Sequence, residues 1–144
     1  MNPTIQRFGY PENLLKEFTF WVVLLRPAQA TLGSLVMAYK GDATRAGDLP
    51  TEAWTEVSTV TREIEATLSH HFPMEKLNYL MLMMVDLEVH QHVIPRYSGE
   101  VRFDGVTFSD PGWPGAPQLG HAAVLADESF QKLANLLREE WVMP

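Results

Sequence analysis

The chain has 144 residues, about the size of one domain. Apolar residues make up 46% of it and charged residues 20%, a balance typical of a globular domain and not of a disordered chain. There is no cysteine, which excludes disulfide scaffolds, zinc ribbons and thiol nucleophiles. The net charge of −7, without any cluster of Lys and Arg, argues against binding to duplex nucleic acid but is compatible with a small phosphorylated ligand, which needs only a few local donors.

The sequence shows neither a membrane span nor an export signal. Its longest apolar runs, residues 20–25 and 79–85, are far shorter than the roughly 20 residues that a membrane-spanning helix needs. The first eighteen residues include Pro3, Arg7 and Pro11 and no apolar segment. We therefore expect a cytoplasmic protein with no membrane partner.

The first half of the chain predicts two strands followed by a long helix. Residues 17–25 (EFTFWVVLL) are rich in aromatic and β-branched side chains and predict one strand, and Pro27 begins the connection to a second strand at residues 33–39. From residue 50 to 71 apolar residues recur every three or four positions, which predicts an amphipathic helix. Asp48 and Pro50 are positioned as its cap and its first-turn proline. The expected apolar stripe is Trp54, Val57, Val60, Ile64 and Leu68.

The second half adds strands and one more helix. Residues 76–85 (KLNYLMLMMV) predict a strand buried on both faces, although the period alone does not separate it from a core helix. Residues 88–97 alternate and predict a strand ended by Pro95, and Asp104-Gly105 predicts a short hairpin within residues 100–108. Residues 109–120, with three Pro and three Gly, predict a loop.

The last predicted element is a helix over residues 127–140. Asp127 is its expected N-cap, and its apolar stripe is Phe130, Leu133, Leu137 and Trp141. The elements together predict an α+β fold with an antiparallel sheet of about five strands, one long helix and a C-terminal helix. We expect a single domain over residues 1–144, in which residues 118–144 form a C-terminal extension.

The densest chemical signal is Glu88-Val89-His90-Gln91-His92. On a strand, residues two apart point to the same face, so the carboxylate and both imidazoles are expected to project together. Three interpretations remain open from the residues alone. The group is a hydrogen-bonded surface patch, a metal clamp of the E-x-H-x-H type, or a site where one histidine is a nucleophile toward phosphorus.

A resemblance to a known family favours the third interpretation. Residues 89–96 (VHQHVIPR) resemble the end of the signature of the histidine triad superfamily, in which three histidines alternate with apolar residues and Pro-Arg often follows. Residues 78–86 (NYLMLMMVD) and 25–34 (LRPAQATLGS) are similar to a bacterial subgroup of that superfamily, and Trp113-Pro114 is the last recognisable point. Two departures are Glu88, where the family has its first histidine, and the apolar residues 82–86, where many members have a small polar loop.

The resemblance implies the roles of the individual residues. His90 is the nucleophile, which takes the nucleotidyl group, and His92 helps to hold the phosphate oxygens. Glu88 either raises the pKa of His90 or takes part in catalysis by orienting an imidazole or donating a proton. The nucleotide-binding residues implied are Arg26, Gln29, Asn78 and Arg96.

The function implied is a nucleotide-binding hydrolase or transferase. It cleaves a phosphoanhydride or phosphoramidate bond at a nucleoside α-phosphate through a nucleotidyl intermediate on His90, as a diadenosine polyphosphate hydrolase does. The alternatives are a nucleotide-binding module with weak or lost catalysis and, behind it, a metal-binding protein. We expect no cofactor and no bound metal, a small nucleotide as substrate, a homodimer, and a pocket of mononucleotide size beside the triad strand, walled by the first hairpin.

Overall fold

The computed structural model describes all 144 residues and contains three α-helices and seven strands. The helices are α1 (Pro3–Arg7), α2 (Thr51–His71) and α3 (Asp127–Glu139). The strands are β1 (Leu14–Glu17), β2 (Trp21–Leu25), β3 (Leu35–Tyr39), β4 (Lys76–Leu80), β5 (His90–Arg96), β6 (Val101–Phe103) and β7 (Val106–Phe108). No helix has both the length and the apolar content that crossing a membrane requires.

Five of the strands form one antiparallel sheet in the order β1-β2-β3-β5-β4, and β6 and β7 form a separate hairpin. In this sheet β5 lies between β3 and β4 and contains both histidines of the motif. Register pairs Ala38 with His90 and Val36 with His92, so the two histidines lie on the same face of the sheet as Val36 and Ala38. The α+β prediction is confirmed.

The two faces of the sheet are covered by different elements. One face packs against α2 and α3 in a cluster of twenty buried residues that includes Met37, Ile64, Val93 and Leu133. The opposite face carries a smaller cluster of five, Ile5, Val22, Leu24, Val36 and Ala38. Ile5 belongs to α1 and is fully buried, so the first helix covers the face that also bears the histidines.

The amphipathic helix is confirmed, with differences at its start and in its stripe. It begins at Thr51, with Pro50 as the N-cap residue and no side-chain cap, while Asp48 lies in a single 3₁₀ turn, Ala46–Asp48. Trp54 is 38% exposed. The apolar part of the buried face is Ala53, Val60, Ile64 and Leu68.

The predicted first strand over residues 17–25 is wrong: the chain forms a hairpin there. β1 ends at Glu17 and β2 begins at Trp21. Glu56 on α2 holds the intervening turn, because its carboxylate accepts hydrogen bonds from the amides of Thr19 at 3.2 Å and Phe20 at 2.7 Å. The second strand begins at Leu35, two residues later than expected.

The strand predicted over residues 76–85 is shorter, and it is not buried on both faces. β4 ends at Leu80 and is an edge strand with half-buried side chains. The apolar residues that follow are exposed instead of buried: Leu82 at 47%, Met84 at 81% and Val85 at 84%. This part of the apolar run therefore lies at the surface and does not belong to the core.

The triad strand also differs from its prediction. β5 begins at His90, which leaves Glu88 before the strand, and Pro95 lies within it. Proline is tolerated there because the pairing with β3 ends at Val93, so no partner on that side needs the missing N–H. The Pro95 carbonyl accepts a hydrogen bond from Thr31 Oγ1 at 2.6 Å.

The C-terminal elements follow the predictions closely. Asp104 and Gly105 both have positive φ, 49° and 77°, as expected for a tight hairpin turn between β6 and β7. Residues 109–120 form no helix or strand. Helix α3 starts one residue after its N-cap, which is Ala126 and not Asp127. Its buried residues Leu133, Ala134 and Leu137 join the larger cluster.

Helix α1 was absent from the sequence prediction. Asn2 is its N-cap and accepts a hydrogen bond from the Ile5 amide at 3.0 Å, and Pro3 occupies the first turn. The Asn2 amide group also donates to the carbonyls of Tyr39 at 2.9 Å and Gly41 at 2.8 Å, which ties the helix to the end of β3. The Asn-Pro pair was the available signal for this element.

Candidate functional site

An open cavity of about 250 Å³ lies over the two histidines of β5. Its walls come from three places in the chain: Phe8 after α1, Arg26 after β2, and residues 82–86 between β4 and β5. The volume is slightly below the ~300–1,000 Å³ of typical ligand pockets. A cavity is present beside the triad strand, as expected. Of the hairpin formed by β2 and β3, only Arg26 contributes to its wall.

The two histidines lie against one another at the base of this cavity. His90 is 2% exposed and His92 is 9% exposed, and their ring centroids are 5.2 Å apart in an edge-on arrangement. Successive side chains on one face of β5 bring them together, as predicted from their spacing.

Hydrogen bonds assign the tautomer of His90. Its Nδ1 lies 2.7 Å from the backbone carbonyl oxygen of Glu88. Because a carbonyl can only accept, Nδ1 is the donor and carries the proton. In the neutral ring the lone pair is then on Nε2, which is the nitrogen free to attack an electrophile.

The tautomer of His92 is the opposite. Arg26 Nε donates to His92 Nδ1 at 3.2 Å, and a guanidinium has no acceptor, so Nδ1 is unprotonated and Nε2 carries the proton. Burial, assisted by the charges of Arg26 and His90, lowers the pKa of His92 to about 4, with Asp86 opposing them. His92 is therefore a neutral donor at pH 7.

Arg26 is itself held in place beside the cavity. It is 9% exposed, and its Nη1 donates to the Ala28 carbonyl at 2.6 Å. Burial lowers the pKa of the Arg26 guanidinium from its ordinary value. Its position supplies a cation beside the two imidazoles, an arrangement suited to an anionic ligand.

Glu88 points to the α1 side of the sheet, the face that also bears the histidines, but its side chain does not line the cavity. Its carboxylate Oε1 accepts hydrogen bonds from Thr4 Oγ1 at 2.6 Å and from the Thr4 amide at 3.3 Å. The Thr4 hydroxyl is the main cause that lowers the pKa of Glu88. Glu88 is therefore ionised at neutral pH, which argues against the proton-donor role, and it contacts α1.

The E-x-H-x-H group is not arranged as a metal clamp. Glu88 is occupied by Thr4, and the Nδ1 atoms of His90 and His92 are occupied by a carbonyl and by Arg26. The cluster of His, Asp and Glu ligand atoms that does lie together, within 4.8 Å, is His70, His71 and Glu140 at the ends of α2 and α3.

Two other implied binding residues, Asn78 and Arg96, belong to a buried network outside the cavity. Arg96 forms a two-pronged pair with Asp110, with Nε at 2.7 Å and Nη2 at 3.1 Å from its carboxylate, and its Nη1 donates to Asn78 Oδ1 at 2.7 Å. Burial alone would raise the pKa of Asp110, but the hydrogen bonds from Arg96 hold it below its usual value. This network anchors the loop over residues 109–120 to β5.

Gln29 also lies outside the cavity wall. Its side-chain amide donates to the carbonyls of Arg26 and Ser34, both at 2.8 Å, and its Oε1 accepts from the Gly33 amide at 2.9 Å. All three contacts are within the loop between β2 and β3. Gln29 thus shapes the loop that positions Arg26.

The sequence analysis missed Phe8 as part of the site. The Phe8 ring centroid lies 5.5 Å from that of His90 and 5.8 Å from that of His92. Nothing in the sequence near residue 8 signals this contact, since it depends on where α1 docks.

Of the comparisons with known proteins, the one with solved structures identifies the fold. No family model matches the sequence, and no curated protein matches it. Among solved structures, a histidine triad protein from Sinorhizobium meliloti 1021 has a TM-score of 0.73 at 21% identity, covering 96% of this chain and 94% of that one. A histidine triad protein from Marinobacter aquaeolei VT8 has 0.71 at 20%, covering 93% and 91%. The diadenosine triphosphate hydrolase of Plasmodium falciparum has 0.66 at 11%, covering 90% and 76%.

These likenesses extend over nine-tenths or more of the chain. Identities of this size establish architecture and leave activity to the site itself. The chain therefore has the fold of the histidine triad proteins.

Proposed function

We propose that this protein is a nucleotide hydrolase or transferase of the histidine triad type, which cleaves a phosphoanhydride or phosphoramidate bond at a nucleoside α-phosphate. The observation that supports this most is the opposite tautomers of the two histidines. His90 presents a lone pair on Nε2, and His92 presents an N–H on Nε2, both at the base of one cavity. A nucleophile beside a neutral donor and a cation is the set that phosphoryl chemistry uses.

In this mechanism His90 Nε2 forms a bond to the α-phosphorus while the bond from phosphorus to the leaving group breaks. The leaving group departs with the electron pair. The Glu88 carbonyl stabilises the positive charge that develops on the ring, since it accepts from Nδ1–H. His92 Nε2–H and Arg26 are placed to bind the phosphate oxygens. Water then attacks the phosphorus, the bond from phosphorus to Nε2 breaks with its electron pair returning to the ring, and the proton lost by water passes to the departed leaving group or to solvent. This releases the nucleoside monophosphate and restores His90. Another acceptor in place of water makes the reaction a transfer.

A second candidate is a nucleotide-binding module with weak or lost turnover. The apolar and acidic wall at residues 82–86 favours it, because this segment has no Gly, Ser or Gln to bind polyphosphate. Glu88, in the position of the first histidine, likewise adds a negative charge near the site, as in the bacterial subgroup that the sequence resembles.

The test is a turnover screen with adenosine phosphoramidate, adenosine phosphosulfate and dinucleoside polyphosphates. We expect hydrolysis of at least one, abolished in His90→Ala while nucleotide affinity stays within a few-fold, because His90 acts chiefly in the transition state. Binding is measured by ligand-dependent thermal stabilisation. Turnover that survives His90→Ala contradicts the mechanism, and binding without any turnover selects the module.

We also propose that the chain acts in the cytoplasm as a homodimer of one 144-residue domain. The support for the dimer is the edge of the sheet. β4 is an edge strand with half-buried side chains, and Leu82, Met84, Val85 and Leu87 continue it as an exposed apolar surface. An unpaired edge with adjoining apolar side chains fits pairing with a second copy.

A further inference from the structure

The first residues of the chain form a strap across the face of the sheet that bears the histidines. We define the strap as residues 2–8, which contain α1 and end at Phe8. Asn2 ties it to β3, Ile5 is fully buried in the small cluster, and Phe8 lies against both imidazoles. The strap is therefore bound to β3 at its first residue and forms part of the cavity wall at its last.

Glu88 connects the segment before β5 to this strap through hydrogen bonds. Its Oε1 accepts two hydrogen bonds from Thr4, a fully buried residue of α1. A hydrogen bond to an ionised carboxylate is roughly twice as strong as one between neutral groups. The neighbouring Arg7–Asp86 ion pair is far more exposed, with the Arg7 side chain at 58%, and exposed pairs contribute little.

The strap has a direct consequence for the size of the cavity. Phe8 closes one side of a space of about 250 Å³, just under the volume typical of ligand pockets. The Phe8 ring, which is tilted relative to His90 and edge-on to His92, occupies volume that a bound group would otherwise fill. Any movement of α1 therefore changes what fits above the histidine pair.

We propose that Glu88 is a positioning residue, which anchors the N-terminal strap through Thr4 so that Phe8 limits the size of the group accepted above His90 and His92. The residue in the first triad position then sets substrate size and has no part in the bond-breaking step. This rests on the proposed function for its substrate, whereas the link from Glu88 through Thr4 to Phe8 stands on the contacts alone.

The first arm of the test needs no activity. The C–H signals of the two imidazoles are recorded by NMR, since the Phe8 ring current shifts them, and Phe8→Ala gives their positions without the ring. We expect Thr4→Val and Glu88→Gln to move the same signals toward the Phe8→Ala positions, and Thr4→Ser, which keeps the hydroxyl, to leave them in place. The double variant Thr4→Val/Glu88→Gln should do no more than the larger single change.

The second arm uses substrates that differ in the size of the leaving group. Phe8→Ala, Thr4→Val and Glu88→Gln should each raise kcat/KM for a dinucleoside tetraphosphate relative to adenosine phosphoramidate, by roughly three- to tenfold, the range expected for one lost contact. For Thr4→Val, which lies outside the cavity, kcat with the phosphoramidate should stay within a few-fold of wild type. Thr4→Ser should retain the wild-type ratio.

The outcomes separate the explanations. If Glu88→Gln lowers kcat equally for every substrate while Thr4→Val does not, Glu88 acts in the chemistry and the proposal is overturned. Imidazole signals that ignore Thr4→Val and Glu88→Gln overturn the strap itself. If no substrate turns over, the proposed function fails, and the NMR arm still decides whether Glu88 positions Phe8.

Discussion

The contacts of single side chains decide what each residue of the motif can do. His90 and His92 are the same residue type two positions apart, yet a carbonyl at one Nδ1 and a guanidinium at the other give them opposite tautomers. Each partner is fixed by the backbone around it, because Glu88 lies two residues before the start of β5 and Arg26 immediately follows β2. One ring is thus an acceptor toward substrate and the other a donor.

The low pKa of His92 gives a prediction that ¹⁵N NMR titration can check. We expect its imidazole to stay neutral down to about pH 4, with the proton on Nε2, because burial and the charge of Arg26 disfavour the protonated ring. Arg26→Gln should raise this midpoint, since it removes the neighbouring charge. A midpoint near 6.5 in the wild type contradicts the burial of this ring beside a cation.

The same pKa makes the stability of the fold depend on pH. Between about pH 6.5 and pH 4 the unfolded chain protonates His92 while the folded chain does not, so the unfolded state binds more protons. The free energy of unfolding should fall as the pH drops through this window. In His92→Asn, which cannot titrate, urea denaturation at pH 7 and pH 5 should show a smaller difference.

The elements of the fold depend on a few buried polar contacts, and the Arg96–Asp110 pair has the largest predicted effect. Side-chain exposure is 5% for Arg96 and 1% for Asp110. Asp110→Asn should lower the free energy of unfolding by about 3 kcal/mol, because it leaves a buried guanidinium without its counter-charge. The measurement is urea denaturation at pH 7.

Asp104 provides the matched control for this substitution. It pairs with Lys132 at 3.3 Å, but the side chains are 31% and 53% exposed, and Asn tolerates its positive φ equally well. Asp104→Asn should therefore destabilise the protein much less than Asp110→Asn does. Equal losses for the two variants would show that burial does not govern the Arg96–Asp110 pair.

The elements with local signals were predictable from the sequence. The apolar period of α2, the Asp104-Gly105 turn and the Pro- and Gly-rich loop all act within their own segments, and the structure has each of them. The histidine pair belongs to this group, since alternation on one strand was enough to bring the two rings together.

The errors arose where a distant residue decides the local structure. The turn at residues 18–20 depends on Glu56, which lies more than thirty-five positions later, so an apolar run that reads as one strand becomes a hairpin. Glu88 is on the face of the histidines but outside the cavity wall, because Thr4, near the other end of the chain, binds its carboxylate. Residues 82–85 have the composition of a core strand but form no strand, and Leu82, Met84 and Val85 are exposed, since composition alone does not show which apolar residues are buried.

For the whole molecule, the exposed apolar edge predicts the assembly. Light scattering should give about twice the 16.3 kDa mass of the chain at micromolar concentration. Val85→Lys should weaken this dimer, since Val85 is 84% exposed beside β4 and a lysine there would place a charge in the interface. Val124→Lys is the matched control, because Val124 is 93% exposed far along the chain from that edge. A monomer in the wild type would contradict the assembly.

The central claim is that His90 Nε2 forms a bond to phosphorus, and its most direct test is intact mass spectrometry of the protein quenched during turnover of a substrate found in the screen. The account predicts a species heavier by one nucleotidyl group, labile to acid and mapped to His90, that is absent from His90→Ala and still forms in Glu88→Gln. Substrate turnover at the wild-type rate with no adduct on His90, or with the adduct on another residue, would contradict it.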